Sequence, residues 1–105
     1  MSVRLDGDGG SVTISDAVLS EIVLQAVEVV DGARVRRALR LPRRHLEVEV
    51  EGGRARVELE LAVRYGRVLP DAAREVQQQV TEALETMCGF EVAAVHVSIE
   101  ELDAS

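Results

Sequence analysis

The fold is decided by the stretch Leu46-Glu-Val-Glu-Val-Glu-Gly-Gly-Arg-Ala-Arg-Val-Glu-Leu-Glu-Leu-Ala-Val-Arg-Tyr65. Apolar and polar side chains alternate on both sides of Gly52-Gly53. This pattern predicts two β-strands, 46–51 and 54–65, joined by a two-residue hairpin turn. The turn fixes the register, so the apolar side chains of both strands share one face: Leu46, Val48, Val50, Ala55, Val57 and Leu59.

The opposite face of this hairpin carries charged side chains. The register places opposite charges across from each other in two pairs, Glu49–Arg56 and Glu51–Arg54, although Glu47 faces Glu58. Turn geometry and charge pattern therefore agree on the same register. We expect the charged face to contact solvent and helices to cover the apolar face.

A first helix is expected before the hairpin. Ser15 is a suitable N-cap and Asp16 suits the positive end of a helix, so the helix should run from Asp16 to about Val30 and end at Gly32. Its polar side chains fall within about 140° of a helical wheel, which leaves an apolar surface wider than one sheet face would cover. Two interpretations stay open: the helix is wedged between the sheet and a second helix, or part of its surface is a subunit or partner interface.

A second helix is expected after the hairpin, with Pro70 in its first turn and Gly89 at its end. Phe90 should fold back on Leu84. Apolar side chains at helical spacing should face the core: Ala73, Val76, Val80, Leu84 and Met87.

Two further strands, Val12–Ile14 and Val92–Ile99, complete the expected order β-α-β-β-α-β. The sequence therefore predicts an α+β two-layer sandwich, with two helices on one face of a mainly antiparallel sheet. Residues 1–11 are expected to form a flexible N-terminal arm, and residues 12–102 a single domain. The order of the strands in the sheet stays open.

Composition bounds the class of protein. With 105 residues, 47% hydrophobic and 30% charged, the chain suits one globular domain. It contains no apolar run near the roughly 20 residues of a membrane span, and its first ten residues do not resemble a signal peptide. The single cysteine excludes an internal disulfide. These features predict a cytoplasmic protein.

No constellation of residues indicates catalysis. His45 and His96 are the only imidazole bases, and no pattern pairs either one with Cys88 or with a serine as a nucleophile. The carboxylates are spread over expected solvent faces, where pairing with arginine explains them. We therefore expect no enzyme, no catalytic residues, no cofactor and no metal site.

The compositional anomaly is a stretch of six arginines without an acid, within a chain of net charge −7. These arginines are the candidate partner- or anion-binding residues: Arg34, Arg36, Arg37, Arg40, Arg43 and Arg44. The stretch either forms a solvated loop that balances the acidic body, or it binds an anionic surface. That surface could belong to a neighbouring subunit, a partner protein, lipid headgroups or a nucleic acid. The absence of interleaved aromatic residues disfavours nucleic acid.

Five segments together resemble the alkaline shock protein family of bacteria: Gly10–Leu19, Ala26–Gly32, Val63–Pro70, Glu85–Gly89 and Val95–Ile99. The resemblance implies a non-enzymatic cytoplasmic protein of cell-envelope homeostasis and stress. It further implies a homo-oligomer, in some members held at the membrane by a separate membrane-anchored partner, with no catalytic residues to carry over. The leading hypothesis is therefore a scaffold or adaptor. The alternative is a nucleic-acid-binding module that uses Arg34–Arg44.

Overall fold

A computed structural model describes residues 2–7, 9–36 and 45–104 of the chain. Within these ranges the secondary structure consists of six strands and two helices, in this order: β1 (Ser2–Gly7), β2 (Gly10–Ser15), α1 (Asp16–Glu28), β3 (Ala33–Val35), β4 (Leu46–Glu51), β5 (Arg54–Arg64), α2 (Leu69–Cys88) and β6 (Glu91–Asp103).

The β4–β5 hairpin has the register that the sequence predicts. Val48 pairs with Val57 and Glu49 with Arg56. Gly52 and Gly53 have φ values of 57° and 76°, which suit the turn that best matches the twist of a hairpin. The polar side chains of both strands are exposed, apart from the half-buried Glu60, and the apolar ones are buried or partly buried. The predicted assignment of faces is therefore confirmed.

Strand β5 is the centre of the main sheet. Strand β6 pairs with it in parallel along its whole length, and helix α2 supplies the crossover that a parallel pair requires. Strands β3 and β4 both pair with β5 in antiparallel orientation, β3 with its last part and β4 with its first. Because a strand has only two edges, β3 and β4 share the edge that β6 leaves free. The predicted fold class is confirmed, with β5–β6 as its parallel pair.

Strands β3 and β4 behave as one interrupted edge strand. The Arg36 amide donates to the Glu60 carbonyl at 2.9 Å, and the Glu60 amide donates to the His45 carbonyl at 2.9 Å. Arg36 and His45, at the two ends of the described parts of this edge, therefore lie opposite the same residue of β5. Strand β3 was not predicted, because it is only three residues long and lies at the start of the arginine-rich stretch.

Both helices pack on the apolar face of the sheet. The core combines sheet residues such as Val57 and Leu61 with one stripe from each helix. The buried residues of α1 are Leu19, Val23, Ala26 and Val27, and those of α2 are Ala72, Val76, Val80, Leu84 and Cys88. Each fully buried aliphatic side chain contributes about 1.5–3 kcal/mol relative to an exposed one. Packing of the two helices thus supplies much of the driving force for folding.

Met87 is a correction to the sequence prediction. It was expected to face the core, but its side chain is 68% exposed, and Cys88 instead occupies the buried position. The buried stripe of α2 follows the spacing 72, 76, 80, 84 and 88, which leaves position 87 on the flank of the helix. Ala73, which was also expected to face the core, is only half-buried, and Ala72 is buried in its place.

The helix ends follow the expected chemistry. The Ser15 side chain accepts a hydrogen bond from the Val18 amide at 3.2 Å. Helix α1 ends at Glu28, two residues before the expected Val30. Gly89 ends α2 in the left-handed conformation at φ 73°, and Phe90 beyond it is buried, with its amide 3.4 Å from the Leu84 carbonyl.

The N-terminal segment contains a strand that the sequence analysis missed. Strand β1 pairs with β2 in antiparallel orientation to form a separate two-stranded sheet, and the predicted strand Val12–Ile14 lies within β2. Val3 and Leu5 of β1 are partly buried against the core. Their alternation with Arg4 and Asp6 is the period-two signal that the expectation of an arm overlooked.

Candidate functional site

Two of the six candidate arginines lie in the part of the chain that the structure describes. Arg34 is in β3, and Arg36 follows directly after it. Arg37, Arg40, Arg43 and Arg44 lie outside the described residues. Their anion-binding role stays a prediction.

Arg34 is held by acidic groups of β6. Its Nη2 and Nε atoms donate to the two Asp103 carboxylate oxygens at 2.8 and 3.0 Å, and Nη2 also lies 3.5 Å from Glu101 Oε1. The hydrogen bond with Asp103 raises the pKa of Arg34 and lowers the pKa of the Asp103 carboxyl. A two-pronged pair of this kind fixes the orientation of the guanidinium. Arg34 therefore already has its anionic partner within the chain.

Ala62 gives this ion pair room to cross the sheet. It lies between Arg34 of β3 and Glu101 of β6 in the strand register. The Ala62 side chain is fully buried, but it does not belong to the core cluster on the helix side of the sheet. It therefore lies on the polar face, where the ion pair covers it. A longer side chain here would separate Arg34 from its carboxylate partners.

Arg36 continues the same network. Its Nη1 atom lies 3.4 Å from Glu60 Oε1, and its Nε atom lies 3.4 Å from Glu101 Oε2. The His45 Nδ1 atom lies 3.1 Å from the other Glu60 oxygen, and the His45 side chain is only 8% exposed. Arg34 and Arg36 are thus paired with carboxylates of neighbouring strands and are not free cations.

The histidines line a shallow depression of about 210 Å³ on the polar face, with Glu47, Glu58, Glu60 and Ser98. The Ser98 hydroxyl donates to Glu100 and not to a histidine. Cys88 is the last residue of α2 and is buried on the helix side of the sheet, away from this face; burial raises the pKa of its thiol. Neither arrangement offers a nucleophile beside a base. Among the described residues, no group of three or more His, Cys, Asp or Glu side chains could hold a metal ion.

The helix layer contains a larger and more apolar concavity. We call it the interhelical groove; it has a volume of about 510 Å³ and lies between α1 and α2. Its apolar lining includes Val18, Val29 and Met87, which are 49%, 68% and 68% exposed. Exposed aliphatic side chains gathered in one concavity are typical of a binding surface.

The rim of the interhelical groove is polar and acidic. Glu21 and Gln25 of α1 face Gln79, Glu82 and Thr86 of α2 across the groove, and its lining contains no basic residue. The acidic character extends along both helices. Helix α1 contains three acids and no base, and the α2 sequence contains four acids and one arginine.

Comparison with known families decides the relationship of the chain. Its sequence matches the model of the alkaline shock protein 23 family, which is described by a cell envelope-related function, over residues 4–104. The chain belongs to this alkaline shock protein family. The resemblance drawn from its sequence segments is therefore confirmed. A search of curated protein sequences returns no match.

Solved structures similar to this alkaline shock family protein include several MamM CTD chains. A MamM CTD fragment, 215–293, is 21% identical, with a TM-score of 0.53 over 83% of this chain and 99% of that one. A copper form of a MamM CTD variant is 20% identical, with a TM-score of 0.54 over 86% of this chain and all of the other. A zinc form is also 20% identical, with a TM-score of 0.53 over 85% and 87% of the two chains. At these identities the similarity shows the fold alone.

Sequence reasoning found one half of the interhelical groove. The wide apolar surface of α1 indicated a possible interface, whereas Met87 was assigned to the core. The position of Met87 beside Val18 depends on how the two helices pack, and no local pattern carries that information. In the described part of this alkaline shock family protein, no helix is long and apolar enough to cross a membrane.

Proposed function

We propose that this alkaline shock family protein is a cytoplasmic scaffold or adaptor of the cell envelope. It catalyses no reaction and acts by associating with itself and with a membrane-anchored partner protein. The observation that supports this proposal is the interhelical groove, an apolar concavity that the described chain leaves open to solvent. Family membership supports the link to the envelope.

The polar face of the sheet supports the same proposal by contrast. Its depression is lined by acids and two histidines, but its serine hydroxyl is turned toward a glutamate. Arg34 and Arg36 are engaged by Glu60, Glu101 and Asp103. Arginines that already hold carboxylates gain little by binding another anionic partner, because each new contact must first break an existing one. The helix layer is the better candidate for binding.

The test is sedimentation velocity of the wild type and of Val29→Asp at concentrations from about 1 to 200 μM. Val29 is 68% exposed, so the substitution should leave the fold intact while it places a charge in the groove. We expect the wild type to be oligomeric and Val29→Asp to shift toward monomer. Val12→Asp, on β2 at 61% exposure, is the matched control and should behave as the wild type. A monomeric wild type over this range would contradict self-association.

The partner is tested by crosslinked affinity purification from fractionated cells with the same three proteins. We expect a membrane protein to be recovered with the wild type and with Val12→Asp, and to be lost with Val29→Asp. Recovery of nucleic acid instead would favour the alternative, a nucleic-acid-binding module. In that case the affinity of the protein for nucleic acid should fall steeply as the salt concentration rises.

A further inference from the structure

We infer that the interhelical groove binds residues 37–44 of a second copy of this chain. The inference rests on the proposed self-association and names its contact. It starts from the chemistry of the groove. An apolar floor with an acidic rim suits a segment that carries both aliphatic side chains and cations. Glu21 of α1 and Glu82 of α2 both line the groove, so a cationic segment in it can pair with a carboxylate from each helix.

The charge of the helix layer disfavours the simplest alternative, in which two copies join by the same face. Such a twofold interface would bring both acidic helix layers together. The arginine of the layer, Arg74, is not in the groove lining and pairs with Asp71 of its own helix. Juxtaposed like charges cost several kcal/mol at an interface. The occupant of the groove is therefore cationic.

Residues 37–44 have the composition that the groove requires. Their sequence, Arg-Ala-Leu-Arg-Leu-Pro-Arg-Arg, combines four arginines with Ala38, Leu39 and Leu41 and contains no acid. The neighbouring Arg34 and Arg36 are already paired within the sheet. The other four arginines of the stretch are the cations that the inference assigns to the groove.

The inference assigns the segment to the groove of a second copy and not to the groove of its own chain. Both of its flanking residues bond the Glu60 backbone at the edge of the sheet, and nine peptide links that go out and back reach at most about 16 Å. The groove opens on the outer side of the helix layer, which is itself about 10 Å thick. Contact between different surfaces of successive copies is head-to-tail, and it closes into a ring or continues as a chain.

The test uses two charge-reversed proteins. The groove variant carries Glu21→Arg and Glu82→Arg, and the segment variant carries Arg37→Glu, Arg40→Glu, Arg43→Glu and Arg44→Glu. Each alone sets like charges against each other, so its apparent dissociation constant for self-association should rise at least about tenfold. An equimolar mixture should regain association, because each groove then meets a segment of opposite charge. A control with Glu47→Arg and Glu100→Arg makes the same change in net charge as the groove variant, but outside the groove, on β4 and β6, and should associate as the wild type.

Sedimentation velocity of these proteins separates this inference from the proposed function. If both variants associate like the wild type, the groove–segment contact is wrong while self-association stands. If the control dissociates as well, or the mixture stays monomeric, the specific contact is also overturned. A wild type that is monomeric at about 200 μM would overturn both proposals.

A second measurement locates the contact on the protein. A synthetic peptide of residues 36–45 is added to the isotopically labelled segment variant, whose own segment is acidic. We expect saturable shifts of the Val18, Val29 and Met87 methyl resonances. A peptide with its arginines replaced by glutamate should cause none. Shifts confined to the polar face of the sheet would refute the assignment of the groove.

Discussion

The substitution Val57→Asp tests the face assignment on which the fold and both proposed surfaces depend. Val57 is fully buried at the centre of β5, paired with Val48 on one side and Val95 on the other. Helices α1 and α2 pack on the face of the sheet that carries Val57. An aspartate at this position finds no cation, because the arginines of β5 point to the opposite face of the sheet.

The cost of Val57→Asp has two parts. Loss of the buried apolar side chain removes about 2 kcal/mol. In the apolar core the new carboxyl must be neutral, and a pKa raised by about 3 units from its ordinary value costs about 4 kcal/mol at pH 7. The total of about 6 kcal/mol is similar to the whole stability of a small domain, which is about 5–15 kcal/mol.

Urea unfolding followed by far-ultraviolet circular dichroism measures this cost. We expect Val57→Asp to be largely unfolded at pH 7 without denaturant. Because the folded state prefers the protonated carboxyl, the penalty grows as pH rises above the unfolded pKa of about 3.9. Lowering the pH from 7 to 5 should therefore recover about 2 kcal/mol relative to the wild type. A loss of stability that does not change with pH would refute the buried carboxylate.

The matched control is Glu49→Lys on the neighbouring strand. Glu49 is exposed on the polar face opposite Arg56, so the change replaces a favourable cross-strand pair by like charges. Such a change costs about 1 kcal/mol at most. Equal urea midpoints for Glu49→Lys and Val57→Asp would overturn the face assignment.

Three further predictions concern single features. Arg34 holds the pKa of the Asp103 carboxyl below its ordinary value. The stability that this pair contributes should therefore be complete above about pH 4 and be lost as the pH falls through the lowered pKa. In urea unfolding measured from about pH 5 to 2.5, Arg34→Gln should lose less stability on acidification than the wild type. Since Cys88 is buried and its thiol pKa is raised, a disulfide reagent should label it at least about tenfold more slowly in the native protein than in urea. Gly89→Ala should cost about 1–2 kcal/mol, seen as a lower melting temperature by calorimetry, because Gly89 has φ 73°.

The elements that sequence predicted best are those whose signals are local. Alternation and a two-glycine turn specify the β4–β5 hairpin with its register, and Ser15 and Gly89 mark helix ends through their own chemistry. Strand β3 is too short to produce a period. The exposure of Met87 follows from the packing of α1 on α2. These features depend on contacts between distant segments, so a pattern of neighbouring residues cannot report them.

The fate of Arg34 depends on such a distant contact. The alternation that predicted the last strand fails at Glu100-Glu101, which is why the strand was expected to end at Ile99. In the structure β6 continues to Asp103 through a β-bulge, where Leu61 pairs with Ile99 but Ala62 pairs with Glu101. The extra residue reverses which side chains face the polar side of the sheet.

This bulge explains why the arginine-rich stretch divides into two parts. Without it, Glu100 and Leu102 would occupy the polar face beyond Ser98; with it, Glu101 and Asp103 do, beside Arg34. The same sheet therefore neutralises the arginines that belong to its edge strand. Residues 37–44 lie outside the described part of the chain, between Arg36 and His45, which both bond the Glu60 backbone. A count of charges along the sequence treats all six arginines alike, whereas the sheet register distinguishes the structural pair from those proposed to bind a second copy.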